Sequence, residues 1–122
     1  MKKLLLVLSI TALSNIAGAA TLANIAGSFK ATSTEFSVLN IVTISAQGDV
    51  KLTEQSAYGR LECTGKGTLR ADILSSSLKC EDGQTFNQRI NLKNVKNFNK
   101  FSANVYSSLY GQEVELNFER IK

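Results

Sequence analysis

Apolar and polar residues alternate with a period of two along most of the chain after residue 20, a pattern typical of β-strands with one buried face. The alternation is clearest near the end of the chain, where Val114, Leu116 and Phe118 are separated by Glu115 and Asn117. No helical stripe of convincing length competes with this pattern. The sequence therefore predicts an all-β domain built from antiparallel hairpins.

Turn residues divide the alternating segments into nine candidate strands. These lie near 25–32, 36–46, 50–54, 60–64, 68–74, 77–81, 84–92, 102–110 and 113–121. Successive strands joined by short loops form a meander, and its apolar face must be buried by closure or by folding over. We predict a small antiparallel meander of eight or nine strands, an up-and-down β-barrel, with a β-sandwich as the alternative. Antiparallel closure needs an even number, so one short strand is misassigned or the sheet stays partly open.

Similar residues recur at a spacing of 17 positions, as in Ile44, Leu61 and Leu78, or Ala46, Cys63 and Cys80. Each unit reads as a strand, a turn and the next strand, with turns at 47–49, 65–67 and 81–83. This interpretation places Cys63 and Cys80 at equivalent positions of successive hairpins.

The first 19 residues have the pattern of a secretory signal peptide. Lys2 and Lys3 precede an apolar run that is too short to span a membrane, and Ala17, Ala19 and Ala20 lie in a small-residue segment suited to cleavage. We predict a signal peptide over 1–19, cleaved after Ala19 or Ala20, and a single β domain over 20–122. The signal peptide is bacterial in style, and the predicted location of the domain is periplasmic or secreted.

Removal of the signal peptide changes the charge balance. Without Lys2 and Lys3, the 14 Lys and Arg residues become 12, against 10 Asp and Glu residues. A nearly balanced exported domain lacks the clustered positive charge of nucleic-acid binders. The expected partner is therefore a protein or envelope component, with the domain itself a monomer.

The two cysteines, Cys63 and Cys80, are predicted to form a disulfide because exported proteins meet an oxidising environment. In the repeat interpretation one whole strand separates the two cysteines, and second-neighbour strands are about 9.6 Å apart, so the bond needs curvature or a splayed strand end. Free buried thiols are the alternative. A zinc site is disfavoured, because the chain has no histidine and only these two cysteines.

No catalytic constellation is visible. The absence of histidine excludes Ser-His and Cys-His nucleophile systems. Residues 75–77, three serines, are interpreted as a turn, and Glu113, Glu115 and Glu119 as one solvated strand face. We therefore expect a non-enzymatic protein with no metal and no cofactor; a hydrolase that uses these carboxylates is a third hypothesis.

The residues predicted to point inward are aliphatic or phenyl: Phe29, Phe36, Val38, Val42, Ile44, Leu52, Leu61, Leu69, Ile73, Phe86, Ile90, Val105, Leu109, Val114, Leu116 and Phe118. Such a set predicts a filled interior, as in small barrels. The alternative is a lipocalin-like barrel that carries a small apolar ligand.

A filled interior would leave function to the outer surface, so the leading hypothesis is a binding module. Two candidate surfaces stand out. The first is an interaction face of Arg89, Asn104, Tyr106, Tyr110, Glu115 and Asn117. The second contains Lys93, Lys96 and Lys100, in a segment where Leu92, Val95, Phe98 and Phe101 are three apart, which suits a short helix or a long ordered loop.

The segment Ser77-Leu78-Lys79-Cys80-Glu81-Asp82-Gly83-Gln84-Thr85-Phe86 resembles the Cys-x-x-Gly hairpin of small periplasmic lysozyme inhibitors. Those proteins are compact secreted β-barrels that block an enzyme through surface loops. The resemblance covers about ten residues in the middle of the chain, and no functional residue is carried across. It implies enzyme inhibition as a lesser alternative function.

Overall fold

The computed structural model describes residues 20–33, 39–56 and 58–121. A single turn of helix, α1 (Leu22–Ile25), precedes the strands. The eight strands are β1 (Gly27–Thr32), β2 (Leu39–Ile44), β3 (Asp49–Ser56), β4 (Gly59–Arg70), β5 (Ile73–Cys80), β6 (Thr85–Asn91), β7 (Lys100–Ser107) and β8 (Gln112–Ile121).

The eight strands form a closed antiparallel barrel in sequence order. Closure is made by β1, which pairs with β2 on one side and with β8 on the other, from Ser28–Ile121 to Thr32–Asn117. The predicted up-and-down barrel is therefore confirmed with eight strands, and the sandwich alternative is excluded. Each described strand has two neighbours, so the sheet has no open edge among these residues.

The sequence interpretation gives nine strands instead of eight because it divides β4 into two. The predicted strands 60–64 and 68–74 are joined in one strand, Gly59–Arg70, and the chain turns instead at Ala71 and Asp72. Both of these residues have positive φ, 52° and 63°, as a two-residue hairpin turn requires. The predicted turn at 75–77 lies inside β5.

The glycines of β4 serve close packing, which explains why they misled the sequence interpretation. A Cβ on Gly65 would lie 1.8 Å from the carbonyl oxygen of Ser77, on the neighbouring strand. Gly67 donates its backbone N–H to the carbonyl of Gly48 at 2.6 Å. These residues permit close backbone approach within a strand rather than a change of direction.

The disulfide links Cys63 of β4 to Cys80 of β5. The two residues are direct partners in the antiparallel register, so the prediction of a bond is confirmed but the expected intervening strand is wrong. The 17-residue spacing spans one hairpin, centred on Ala71 and Asp72, and does not mark successive equivalent hairpins.

One end of the barrel is closed by α1, by the turns at 45–48 and 71–72, and by the loop 92–99; we call it the closed end. Thr21 caps α1, accepting from the Asn24 N–H at 3.1 Å while its own N–H donates to Asn24 Oδ1 at 2.8 Å. Ile25 is fully buried and Leu22 packs against the core. The helix thus plugs the barrel where β1 begins.

The loop 92–99 contains turns and no helix, which settles the alternative left open for this segment. Asn91 and Asn97 each accept, through the side-chain oxygen, the backbone N–H two residues ahead. Such local bonds compete with helix formation. Leu92 and Val95 are buried and hold the loop against the closed end.

Arg120 ties the closed end together. Its guanidinium donates to the carbonyls of Asn24 and Ala26, in and just after α1. It also donates to the carbonyl of Phe98 and to Oδ1 of Asn99, in the loop 92–99. One side chain therefore satisfies acceptors from the helix terminus and from the loop.

Aromatic rings pack together in the half of the interior next to the closed end. Phe29 meets Phe101 and Phe118 edge to face, and the latter two rings stack at 4.9 Å. The Arg120 guanidinium lies 4.6 Å from the centre of the Phe29 ring. These ring contacts pack Phe29, Phe101 and Phe118 against one another in the half of the interior next to the closed end.

Most residues predicted to point inward do so, with exceptions in β5 and beyond the described residues. In β5 the buried residues are Leu74, Ser76, Leu78 and Cys80, so Ile73 is in the wrong phase. Phe36 and Val38 lie outside the described residues. Leu109 lies in the turn 108–111 and is half exposed.

Candidate functional site

The half of the barrel away from the closed end, which we call the upper half, contains a cavity of about 230 Å³. It lies opposite the closed end, below the turn 108–111, and we call its opening the mouth. The expectation of a filled interior is therefore wrong for this half of the barrel. For scale, a dry cavity of about 150 Å³ admits benzene. The apolar wall is formed by Val42, Leu52, Phe86, Ile90, Val105, Val114, Leu116 and Phe118.

Two side-chain oxygens in this cavity wall have no hydrogen-bond partner among the described residues. They are Oε1 of Gln88, whose residue is only 7% exposed, and Oδ1 of Asn40. Leaving a buried polar group unpaired costs about 1–3 kcal/mol, so native interiors rarely keep such groups. Here both oxygens belong to residues that line one space.

Gln88 is the centre of a polar row inside the barrel. Its register partners are Ser76 on β5 and Ser107 on β7, and all three residues are buried. Ser107 accepts the N–H of Leu109 at 3.3 Å. Of this row, Gln88 and Ser107 line the cavity and place an amide and a hydroxyl in a largely apolar wall, the combination typical of ligand sites.

Asn40 and Glu54 form a polar pair at the mouth, because they face each other across β2 and β3. Glu54 accepts a long hydrogen bond, 3.5 Å, from the hydroxyl of Tyr110. Tyr110 lies in the turn between β7 and β8, on the far side of the eight-stranded ring from β3. The Tyr110–Glu54 contact therefore crosses the mouth.

The Tyr110 hydroxyl is harder to ionise than an exposed tyrosine. Partial burial raises the pKa of Tyr110, and the nearby Glu54 carboxylate raises it further by charge and by hydrogen bonding. The phenol thus stays a hydrogen-bond donor to Glu54 through the physiological pH range.

The predicted interaction face is largely brought together on the outside of β6, β7 and β8. Asn104 pairs with Glu115, and the Arg89 guanidinium lies 4.3 Å above the ring of Tyr106. Asn117 accepts from the hydroxyl of Ser102 at 2.6 Å. Tyr110 does not belong to this face, because it turns over the mouth and lines the cavity.

The second predicted surface, Lys93, Lys96 and Lys100, is exposed on and beside the loop 92–99. It lies at the closed end, away from the cavity. The predicted cleavage residues Ala17 and Ala19 lie outside the described residues. Ala20 is described, and its backbone N–H donates to Oδ1 of Asp72 at 3.1 Å.

Within the described ranges, no three His, Cys, Asp or Glu residues are grouped so as to hold a metal ion. The helix found in that same part of the chain is far too short to cross a bilayer. Glu113, Glu115 and Glu119 lie exposed on the outer face of β8.

Comparison with family models, with curated proteins and with solved structures finds no match.

Sequence reasoning missed Asn40, Glu54 and the role of Gln88. A signal was present, since Gln88 and Ser107 occupy inward positions of their strands, between apolar residues. A polar residue in the buried phase of a strand indicates either an internal hydrogen-bond network or a ligand site.

Proposed function

We propose that the domain binds a small, largely apolar ligand inside the upper half of the barrel. The observation that carries this proposal is the buried, unpartnered oxygen of Gln88 in the wall of a 230 Å³ cavity. A ligand that donates to this oxygen would remove the cost of its burial. The apolar wall would hold the rest of the molecule.

Filling the cavity tests this function. The probe is phenethyl alcohol, a neutral molecule with an apolar body and one hydroxyl, titrated into protein observed by NMR. Val114→Phe places a ring into the cavity wall and should abolish binding. Ile121→Phe is the control on the same strand, because Ile121 is 43% exposed and does not line the cavity. Absence of binding to the wild type, or equal binding by Val114→Phe, would refute the proposal.

Docking of a protein or envelope component on the outer face is a second candidate function. Its support is the contiguity of Arg89, Asn104, Tyr106, Glu115 and Asn117 on three adjacent strands. Tyrosine and arginine are enriched at interface centres. Equal recovery of an envelope partner by the wild type and by Tyr106→Ala would eliminate this face. Enzyme inhibition through the β5–β6 hairpin stays a prediction.

We further propose that the chain is exported to the periplasm or beyond and is cleaved after Ala19. The disulfide supports an oxidising compartment. Cleavage after Ala19 would convert the Ala20 amide, which contacts Asp72, into an ammonium group beside that carboxylate. Cleavage after Ala20 would remove the contact. The mass of the secreted protein decides, since a chain that begins at residue 21 would contradict the proposed site.

A further inference from the structure

We propose that the cavity ligand is an amphipathic amine, held with its ammonium group at the mouth beside Glu54 and Asn40. This inference rests on the proposed ligand-binding function and names the class of ligand. It follows from the charge of the wall, the placement of the acceptors and the order of polar and apolar residues with depth.

The described cavity wall carries one negative charge and no positive charge. Among the described residues that line the cavity, Glu54 is the only one that carries a charge. The salt bridges found in the described part of the chain involve Glu62 and Asp49, and none of them includes Glu54. Tyr110 donates a single long hydrogen bond to it. An uncompensated carboxylate at the mouth attracts a cation and repels an anion.

The uncharged polar groups are compatible with this charge. The amides of Asn40 and Gln88 can offer an oxygen or, after rotation, an N–H group, so they accept either kind of ligand. Glu54 can only accept while ionised. Recognition of a carboxylate ligand would need an arginine or lysine, and the described wall contains neither.

The order of polar and apolar residues from the mouth into the cavity would orient the ligand. On the β2–β3 wall, the register pair Asn40–Glu54 lies at the mouth, and the next inward pair, Val42–Leu52, lies directly below it. An ammonium has three donors and can bond Glu54 and Asn40 together, since directly opposed residues have Cβ atoms about 5 Å apart. The apolar body then packs on Val42 and Leu52, which are 2% and 7% exposed.

Gln88 lies on β6, four strands from β2 in the ring of eight, so it faces Asn40 from the opposite wall. Its oxygen is a second acceptor for a ligand with a donor at the other end. The site is therefore polar at the mouth, apolar on its walls and polar again on the side of β6.

Three probes that share one apolar body test the inference: phenethylamine, phenethyl alcohol and phenylacetate. We expect the amine to bind the full-length mature protein about tenfold more tightly than the alcohol, as suits a charge-assisted hydrogen bond. Phenylacetate should bind more weakly than either. Glu54→Gln should remove the preference for the amine. Glu119→Gln, which removes an exposed carboxylate from the outer face of β8, should keep it.

The outcomes separate the two proposals. If the alcohol binds and the amine binds no better, or if Glu54→Gln retains the preference, the amine inference is overturned while the cavity remains a ligand site. If none of the three probes binds the wild type, the inference and the proposed function both fail. Thermal melting of Glu54→Gln serves as the folding check, because Glu54 is only partly buried.

Discussion

Gln88 is a residue that a purely structural barrel would not need. It lies between Phe86 and Ile90 in the buried phase of β6, and its oxygen is unpaired. An apolar residue of similar shape would fill the same place without the cost of burying an amide. If the cavity binds a ligand as proposed, Gln88 lowers the stability of the ligand-free protein and contributes to recognition of the ligand.

We predict that Gln88→Met stabilises the ligand-free protein by about 1 kcal/mol, because methionine has a similar length and no unpaired polar group. Urea unfolding at equilibrium measures the change. Gln55→Met on the exposed side of β3 is the control and should have little effect. A loss of stability in Gln88→Met would show that the amide has a partner that satisfies it.

At the scale of elements, the closed end depends on few side chains. Arg120 connects β8 to α1 and to the loop 92–99 through four side-chain hydrogen bonds. Neither the helix, a single turn, nor the Asn-rich loop has a regular ladder of its own. Both are therefore expected to depend on this contact.

Arg120→Lys should destabilise the protein by about 2–3 kcal/mol, since an ammonium cannot reach four acceptors in different directions and several carbonyls are left unpaired. Thermal unfolding measures the effect. Arg70→Lys, at the exposed end of β4, is the matched control. Equal melting temperatures for the two variants would contradict the role given to Arg120.

The glycines of β4 lead to a paired prediction. Gly65→Ala should cost more than about 2 kcal/mol, because the new methyl group would overlap the backbone of Ser77. Gly67→Ala should cost less, because its nearest neighbours at 3.0 and 3.1 Å are side-chain atoms of Val50 and Leu74, which can move. Chemical denaturation of both variants tests the order, and the reverse order would contradict it.

The same strand shows what the sequence could and could not predict. Alternation defined the fold class and most inward residues, because burial of one strand face is a local property. Gly65 and Gly67 resembled turn residues, and only their packing against Ser77 of β5 and against Gly48 before β3 reveals that they permit close approach. Likewise Asn40 and Glu54 are far apart in sequence from Tyr110, so the mouth exists only after the barrel closes.

For the whole molecule, pairing is uneven around the ring. β4 and β5 share eight register pairs and the disulfide, whereas β6 and β7 share three, from Gln88–Ser107 to Ile90–Val105. One backbone bond from Ser108 to Asn87 extends the shorter ladder. We call the short β6–β7 pairing the seam. The cavity lies beside the seam, since its lining includes Gln88, Ile90, Val105 and Ser107.

Hydrogen exchange should reflect this difference. We expect amides in peptides that cover β6 and β7 to exchange faster than those in β4 and β5, because local opening follows the least paired region. Mass-spectrometric exchange on the oxidised protein measures it. Uniform protection around the ring would contradict the assignment of a seam.

Reduction of the disulfide should lower the free energy of unfolding by about 3 kcal/mol, on the chain-entropy view of a loop of this length. The barrel should remain folded, since Cys63 and Cys80 already lie on paired strands. Unfolding with and without reductant measures the change, with the Cys63→Ser, Cys80→Ser double variant as a reductant-insensitive control.

The pairing of β1 with β8 also determines how the domain would be oriented when it is tethered to a solid support. Ser28 and Ile121 are register partners, so the two ends of the described domain meet beside α1, opposite the mouth. A tether at either terminus leaves the cavity facing away from the support. Immobilisation through a terminal tag should therefore present the mouth to solution, and a linker between the two termini should allow the chain to be reopened at a turn elsewhere.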